Sequence, residues 1–427
     1  MMKKSTINWI TFSNDDIQQA RKIIKDLGPD ATVDVIGLGI PFESISNILF
    51  PATSTLHTRL RYQIFVPAIF YKMYQESYKK KLKDPPKRLY VLENSLREVL
   101  EASGYKKDVI GSHAKEKLRY WPSQTYWGGI NTMKIFGESL PSRSDLFDLI
   151  SGAHDGKIEN DDGGIEHIDE DENVFVDNEL HQIALSLFEN NSFKSDIKFS
   201  LTKKEATFFY NLFQNIDIGV DTLLNEWIKG THGGSAGLHK ISGFFNIPKT
   251  GNRKLDDLLN KSQEYSRIAI GISHAYRYAL CRHRAENILK KAGSKSEWRS
   301  YAQNNLDNLK NWMIDNKELK KWDIYGLKYS LSEYGEAEKV DPELISLCGS
   351  FIQLWNRYSS STRLAHEFSS IAKKQEYFRR GSRSHFEDPF MAISENTKGL
   401  ENKEGLFDFR FKQGKSNALD ILKGLGK

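Results

Sequence analysis

The chain has 427 residues, 39% hydrophobic and 27% charged, with 61 lysines and arginines against 56 acids for a net charge of +5. That balance belongs to a globular protein long enough for two or three domains, and it excludes a disordered chain. No run approaches the roughly 18 apolar residues of a membrane-spanning helix, and two cysteines, Cys281 and Cys348, are too few for a disulfide framework or a cysteine-based zinc site.

Lysines follow the first methionines, but Asn8, Asn14, Asp15 and Asp16 break up any signal-peptide core, so a cytoplasmic protein is expected. Ile7 to Phe12 reads as a short extended run. Ser13 then caps a helix whose apolar residues are Ile17, Ala20, Ile23, Ile24 and Leu27. After Gly37 and Gly39 a second helix carries Phe42, Ile45, Ile48 and Leu49 and stops at Pro51. Helical spacing resumes from Leu56 to Leu82, where Pro67 is expected to kink or split it, and again from Leu89 to Leu100. Pro122 and Ser123 open a helix with Tyr126, Trp127, Ile130 and Met133.

From His154 to Leu180 eleven acids stand against Lys157 alone, which leaves 60 basic and 45 acidic residues elsewhere, a net +15. A body that basic attracts polyanions, although a lysine-solvated surface produces the same numbers. The acid run is poor in apolar residues and marks a linker or mobile loop. Beyond it, helices are expected at Glu205 to Phe213, Asp221 to Ile228 and Leu255 to Lys290. Asp341 and Pro342 cap and open another, followed by Thr362 to Arg380. The expected fold is mainly α and multi-helix, in two domains with a few short strands: residues 1–150, an acidic linker at 151–180, and residues 181–427.

Most sequences here that look like chemistry fail in context. Gly233-Gly234-Ser235-Ala236-Gly237 fits a nucleophile elbow, but a helix-like stretch precedes it where an elbow needs a strand. Asp307 with Glu318, Leu319 and Lys320 has the residue types of a magnesium nuclease, yet its helical spacing and polarity read as salt-bridged surface. His113-Ala114-Lys115 starts a phospholipase D motif and lacks its aspartate. Asp169, Asp171 and Asn173 imitate a calcium loop without its glycine or closing glutamate. There is no phosphate-binding P-loop and no H-E-x-x-H pair, and His274 and His283 sit where structural histidines are common. No catalytic residue, metal or cofactor is called for.

Three arginine-bearing clusters remain. In the first, the hydroxyls of Thr53, Ser54 and Thr55 are expected to cap a helix start, with Arg59 and Arg61 in its first turns, a natural anion site. The second is the run from Lys373 to His385, with Arg379, Arg380 and Arg383. The third is Asp408-Phe409-Arg410-Phe411, with strand-like alternation. Phosphate binding and internal ion pairing, for example of Arg380 or Arg410 with Glu376 or Asp408, both suit arginine.

The chain resembles the bacterial family called domain of unknown function 6361. The likeness lies in Trp9 to Ser13, Asp34 to Gly39, Leu49 to Thr55, Thr58 to Tyr62, Phe65 to Pro67, Pro122-Ser123 and Tyr126-Trp127. It returns in Glu376, Arg380, Gly381 and Arg383 and in Leu406 to Phe411. Ala52 departs from an expected glycine, and Phe409 and Phe411 from tyrosine and tryptophan. The resemblance implies a protein encoded in anti-phage defence clusters beside helicases or nucleases, and no known activity. Taken together, the expectation is a non-catalytic component that binds nucleic acid, DNA ahead of RNA, through Arg59, Arg61, Arg379, Arg380, Arg383 and Arg410. It would act with a helicase or nuclease partner and no membrane. The alternatives are a cryptic metal-dependent nuclease using acids such as Glu93, Glu376 and Asp408, and a protein-only scaffold.

Overall fold

The computed structural model describes residues 35–114, 118, 120–136, 142–152, 179–189, 192–215, 221–287, 295–387 and 407–427. The run expected to be extended at 7–12, the helix expected after Ser13, the acidic segment over 153–178 and the calcium-loop mimic within it lie outside the described residues.

Among the described residues the protein is mainly α, as the periodicity predicts, with sixteen helices and one two-stranded antiparallel ribbon. In chain order these are α1 (Ile40–Leu49), α2 (Tyr62–Lys79), α3 (Pro85–Ala102), α4 (Pro122–Thr125), α5 (Trp127–Thr132), α6 (Arg143–Gly152) and α7 (Glu179–Ser186). The ribbon follows, β1 (Phe188–Glu189) and β2 (Ser192–Phe193), with Phe188 opposite Phe193. Then come α8 (Lys203–Asn215), α9 (Leu223–Lys229), α10 (Gly234–Lys240), α11 (Arg253–Asn287), α12 (Lys295–Asp315), α13 (Ile324–Ser332), α14 (Pro342–Arg357), α15 (Ser361–Arg380) and α16 (Phe411–Leu425).

Local chemistry explains many of these ends. Asp341 accepts the Leu344 amide at 2.7 Å, with Pro342 at the first turn of α14, and Ser360 caps α15 through the Arg363 amide. Gly230 closes α9 in the left-handed region. Pro67 does not split its helix into two: α2 runs through it, with every residue from Tyr62 to Tyr71 buried and α3, α6 and α7 packed around it.

The chain divides into two compact units. One comprises Glu43–Leu259, Glu333–Gly335 and Asp408–Lys427. Its core holds α2 and a second centre where Trp227 meets Phe50 and Phe411, with α8, α9 and α10 packed on α16. The other comprises Met1–Phe42, Asn260–Ser332 and Glu336–Phe407. There α14 packs on α13 and α15, α12 packs on α15, and Trp312 lies between Phe351 and Trp355. Cys281 and Cys348 are buried free thiols.

Candidate nucleic-acid interface

In the first unit, Pro51 to Leu60 is a packed loop and not a helix start, so Arg59 and Arg61 precede α2. The Arg61 Nε and Nη2 donate to Glu205 Oε1 at 3.0 and 2.8 Å, and Nη1 to the Lys198 carbonyl. Glu205 Oε2 meanwhile accepts the Thr202 amide and hydroxyl, a capping box at the start of α8. Both ends of this pair are buried, Arg61 at 6% and Glu205 at 2% exposure. Arg59 reaches Asp108 at 3.7 Å and Asp420 at 3.5 Å, and the Tyr126 hydroxyl holds its backbone. Burial, opposed by Arg59, pushes the Asp420 carboxyl up to about 6. His57 stacks on Tyr126 at 4.0 Å and donates from Nε2 to the Thr125 carbonyl. Burial drops its pKa to about 4.

Arg410 does not lie on a strand. Phe409 and Arg410 both occupy the left-handed region, at φ 48° and 63°, and turn the chain into α16. Arg410 Nη1 donates to Asn47 Oδ1 at 2.8 Å and to the Thr53 carbonyl at 2.7 Å, with Glu43 3.6 Å from Nη2. It fastens the C-terminal segment to the loop after α1. Arg59, Arg61 and Arg410, the three arginines of this unit singled out from the sequence, are therefore engaged by acceptors of the protein itself.

In the second unit Arg379 pairs with Asp341 at 2.9 Å, the same carboxylate that caps α14. Glu376 is fully buried. One oxygen accepts the Tyr276 hydroxyl at 2.9 Å, and the other accepts the His385 backbone amide and Nδ1 at 2.7 Å each. Arg380 lies 3.3 Å from the His385 ring. Burial and then Glu376 raise the Tyr276 hydroxyl well above its usual range, so it remains a donor. Arg383, on the turn after α15, is exposed.

The solvent face of α15 completes that surface. Leu364, Ala365, Phe368, Ala372 and Glu376 face inward, whereas Arg363, His366, Lys373, Lys374, Tyr377 and Phe378 face solvent. Tyr377 is 54% and Phe378 67% exposed. Lys373 reaches Glu387 at 3.3 Å. Sequence reasoning singled out the cations here and passed over the two rings, whose adjacency to them was visible in the string Lys373 to Arg383. It also missed the lysine run from Lys79 to Lys87, which the structure places on an exposed turn between α2 and α3.

The acids weighed for catalysis each have separate partners. Glu93 is buried and accepts the Ser123 amide at 2.7 Å. Burial raises its pKa to about 7 against the pull of Ser123 and Arg143. Asp408 accepts the Arg410 amide, and burial raises its pKa. Among the described residues no three His, Cys, Asp or Glu side chains gather as metal ligands would. Ser235 lies at the start of α10, where its hydroxyl donates to the Lys427 carbonyl at 2.8 Å, and no strand leads into it. Asp307 is on α12 and Glu318 pairs with Arg267, as salt-bridged surface predicts.

Fold and surface together describe a helical protein with no helix, among the described residues, long and apolar enough to cross a membrane. Residues 4–157 match the family of unknown function DUF6361, so the resemblance read from the sequence holds over that stretch. The motifs at 376–383 and 406–411 fall outside the matched region. No curated protein and no solved structure matches the chain.

Proposed function

We propose that the chain is a nucleic-acid-binding, non-catalytic component that takes DNA in preference to RNA. The observation that carries the reading is the exposure of the two consecutive aromatics Tyr377 and Phe378 on α15, with Lys374 and Arg383 also open to solvent. Isolated exposed apolar residues are ordinary, but adjacent aromatics framed by cations form a platform on which unpaired bases stack while phosphates meet the charges. Stacking contributes about 1–3 kcal/mol per base. The setting in a defence gene cluster, with a helicase or nuclease partner, comes from the family resemblance.

The test is the affinity of the full chain for a single-stranded oligonucleotide across salt concentrations, with melting measured alongside. Phe378→Ala is expected to weaken binding by roughly tenfold or more. Arg383→Glu is expected to weaken it equally for all sequences and to lower the salt slope by about one contact, with melting unchanged. A wild-type protein without affinity at low salt, or an Arg383→Glu protein that melts several degrees early, sinks the reading.

A further inference from the structure

Residues 78–91 read YKKKLKDPPKRLYV, six cations against the single acid Asp84. This stretch spans the turn at 80–84 between two eighteen-residue helices, α2 ending at Lys79 and α3 beginning at Pro85, with the helix ends on either side. Two prolines at the start of α3 restrict the backbone, and Asp84 caps the helix by accepting the Lys87 amide at 3.0 Å. The turn is thus a stiff mount. Lys79, Lys80, Lys81, Lys83 and Lys87 are all exposed on it.

The nearby acids are committed elsewhere. Glu76 takes Arg88 through both oxygens, at 2.7 and 2.6 Å, and lies 3.9 Å from Lys72. Asp84 faces the helix amides. Lys79, Lys80, Lys83 and Lys87 accordingly reach solvent with no carboxylate partner among the described residues. Four unpaired like charges on one short exposed turn repel one another, and a polyanion bound there relieves that repulsion and releases its own counterions.

We infer that this turn is a second nucleic-acid contact, one that grips the phosphate backbone of a duplex. Lysine is a point charge on a flexible stem. It follows phosphates without the bidentate geometry that arginine brings to a base edge or a single phosphate. A duplex presents one negative charge per roughly 1.7 Å of axis, the densest target for such a cluster. The one exposed ring beside the lysines, Tyr90, stands edge-on to Trp121 at 4.9 Å and belongs to no adjacent aromatic pair like that on α15. The contact uses residues of the other unit and is independent of the α15 platform.

The experiment titrates the full chain against a labelled duplex over a range of salt, comparing wild type, the fourfold Lys79/Lys80/Lys83/Lys87→Gln protein and the fourfold Lys→Arg protein. Vesicles of phosphatidylserine and of phosphatidylcholine form a second arm. The glutamine protein is expected to lose about three to four of the wild-type slope in log affinity against log salt, at nearly one per phosphate contact for its four lysines, with melting unchanged. The arginine protein is expected to keep the wild-type slope. An unaltered slope in the glutamine protein overturns the inference, and so does wild-type binding to phosphatidylserine vesicles without binding to the duplex. Loss of single-strand affinity in Phe378→Ala beside an intact duplex slope in the glutamine protein defeats this inference alone. The reverse pattern defeats only the α15 reading.

Discussion

Two nitrogens of Arg61 serve one oxygen of Glu205, whose other oxygen caps α8, so the pair links the loop before α2 to a distant helix start. Removing one member leaves a buried charge without its partner, at a cost of about 3–5 kcal/mol. Arg61→Ala should therefore melt several degrees below wild type, and an apolar replacement of both residues should recover much of the loss. Equal melting of Arg61→Ala and wild type would show that the pair is not structural. Glu93 supplies a pH dependence of opposite origin. Its folded pKa of about 7 lies above the ordinary 4.5, so the folded state holds the proton more tightly. Stability from this group is present at low pH and lost as pH rises from 4.5 through 7. Glu93→Gln keeps an acceptor for Ser123 and never ionises. Relative to wild type it should gain up to about 3 kcal/mol between pH 4.5 and 8, read from denaturation midpoints at each pH.

At the scale of elements, close packing overrides helix propensity. Gly414 lies within α16, where alanine would ordinarily add up to about 1 kcal/mol of helix stability. A Cβ there would run into the Phe50 ring, itself wedged against Trp227. Gly414→Ala should thus destabilise by about 1–3 kcal/mol, and a chemical-denaturation midpoint at or above wild type would contradict the packing described. In the other unit, the ring of Trp312 comes within 2.6 Å of where a Cβ on Gly271 would sit, so α11 and α12 meet through a glycine in the same way.

At the scale of the molecule, the two proposed surfaces differ in chemistry and belong to different units: aromatic rings with cations on α15, and lysines alone at the turn between α2 and α3. Phe378→Ala should weaken single-strand binding while leaving the salt slope near that of wild type, because stacking releases few counterions. A slope that falls with that substitution would mean that the ring acts by placing charges and not by stacking.

The helical class and the cap at Asp341 were legible in the sequence, because periodicity and capping are local properties carried by residues a few positions apart. The rejection of Ser235 as a nucleophile was legible for the same reason. The fate of the arginines was not, since Arg61 and Glu205 are 144 positions apart and Arg410 and Asn47 are 363 apart. Phe409 and Phe411 alternate as a strand would, yet two left-handed residues and the fit of α16 around Phe50 make that stretch a turn. Residue type settled that cations and acids were present in these clusters. Only the tertiary structure decided which were neutralised in the interior and which stood in water, because that choice depends on which distant segments the folded core brings within reach.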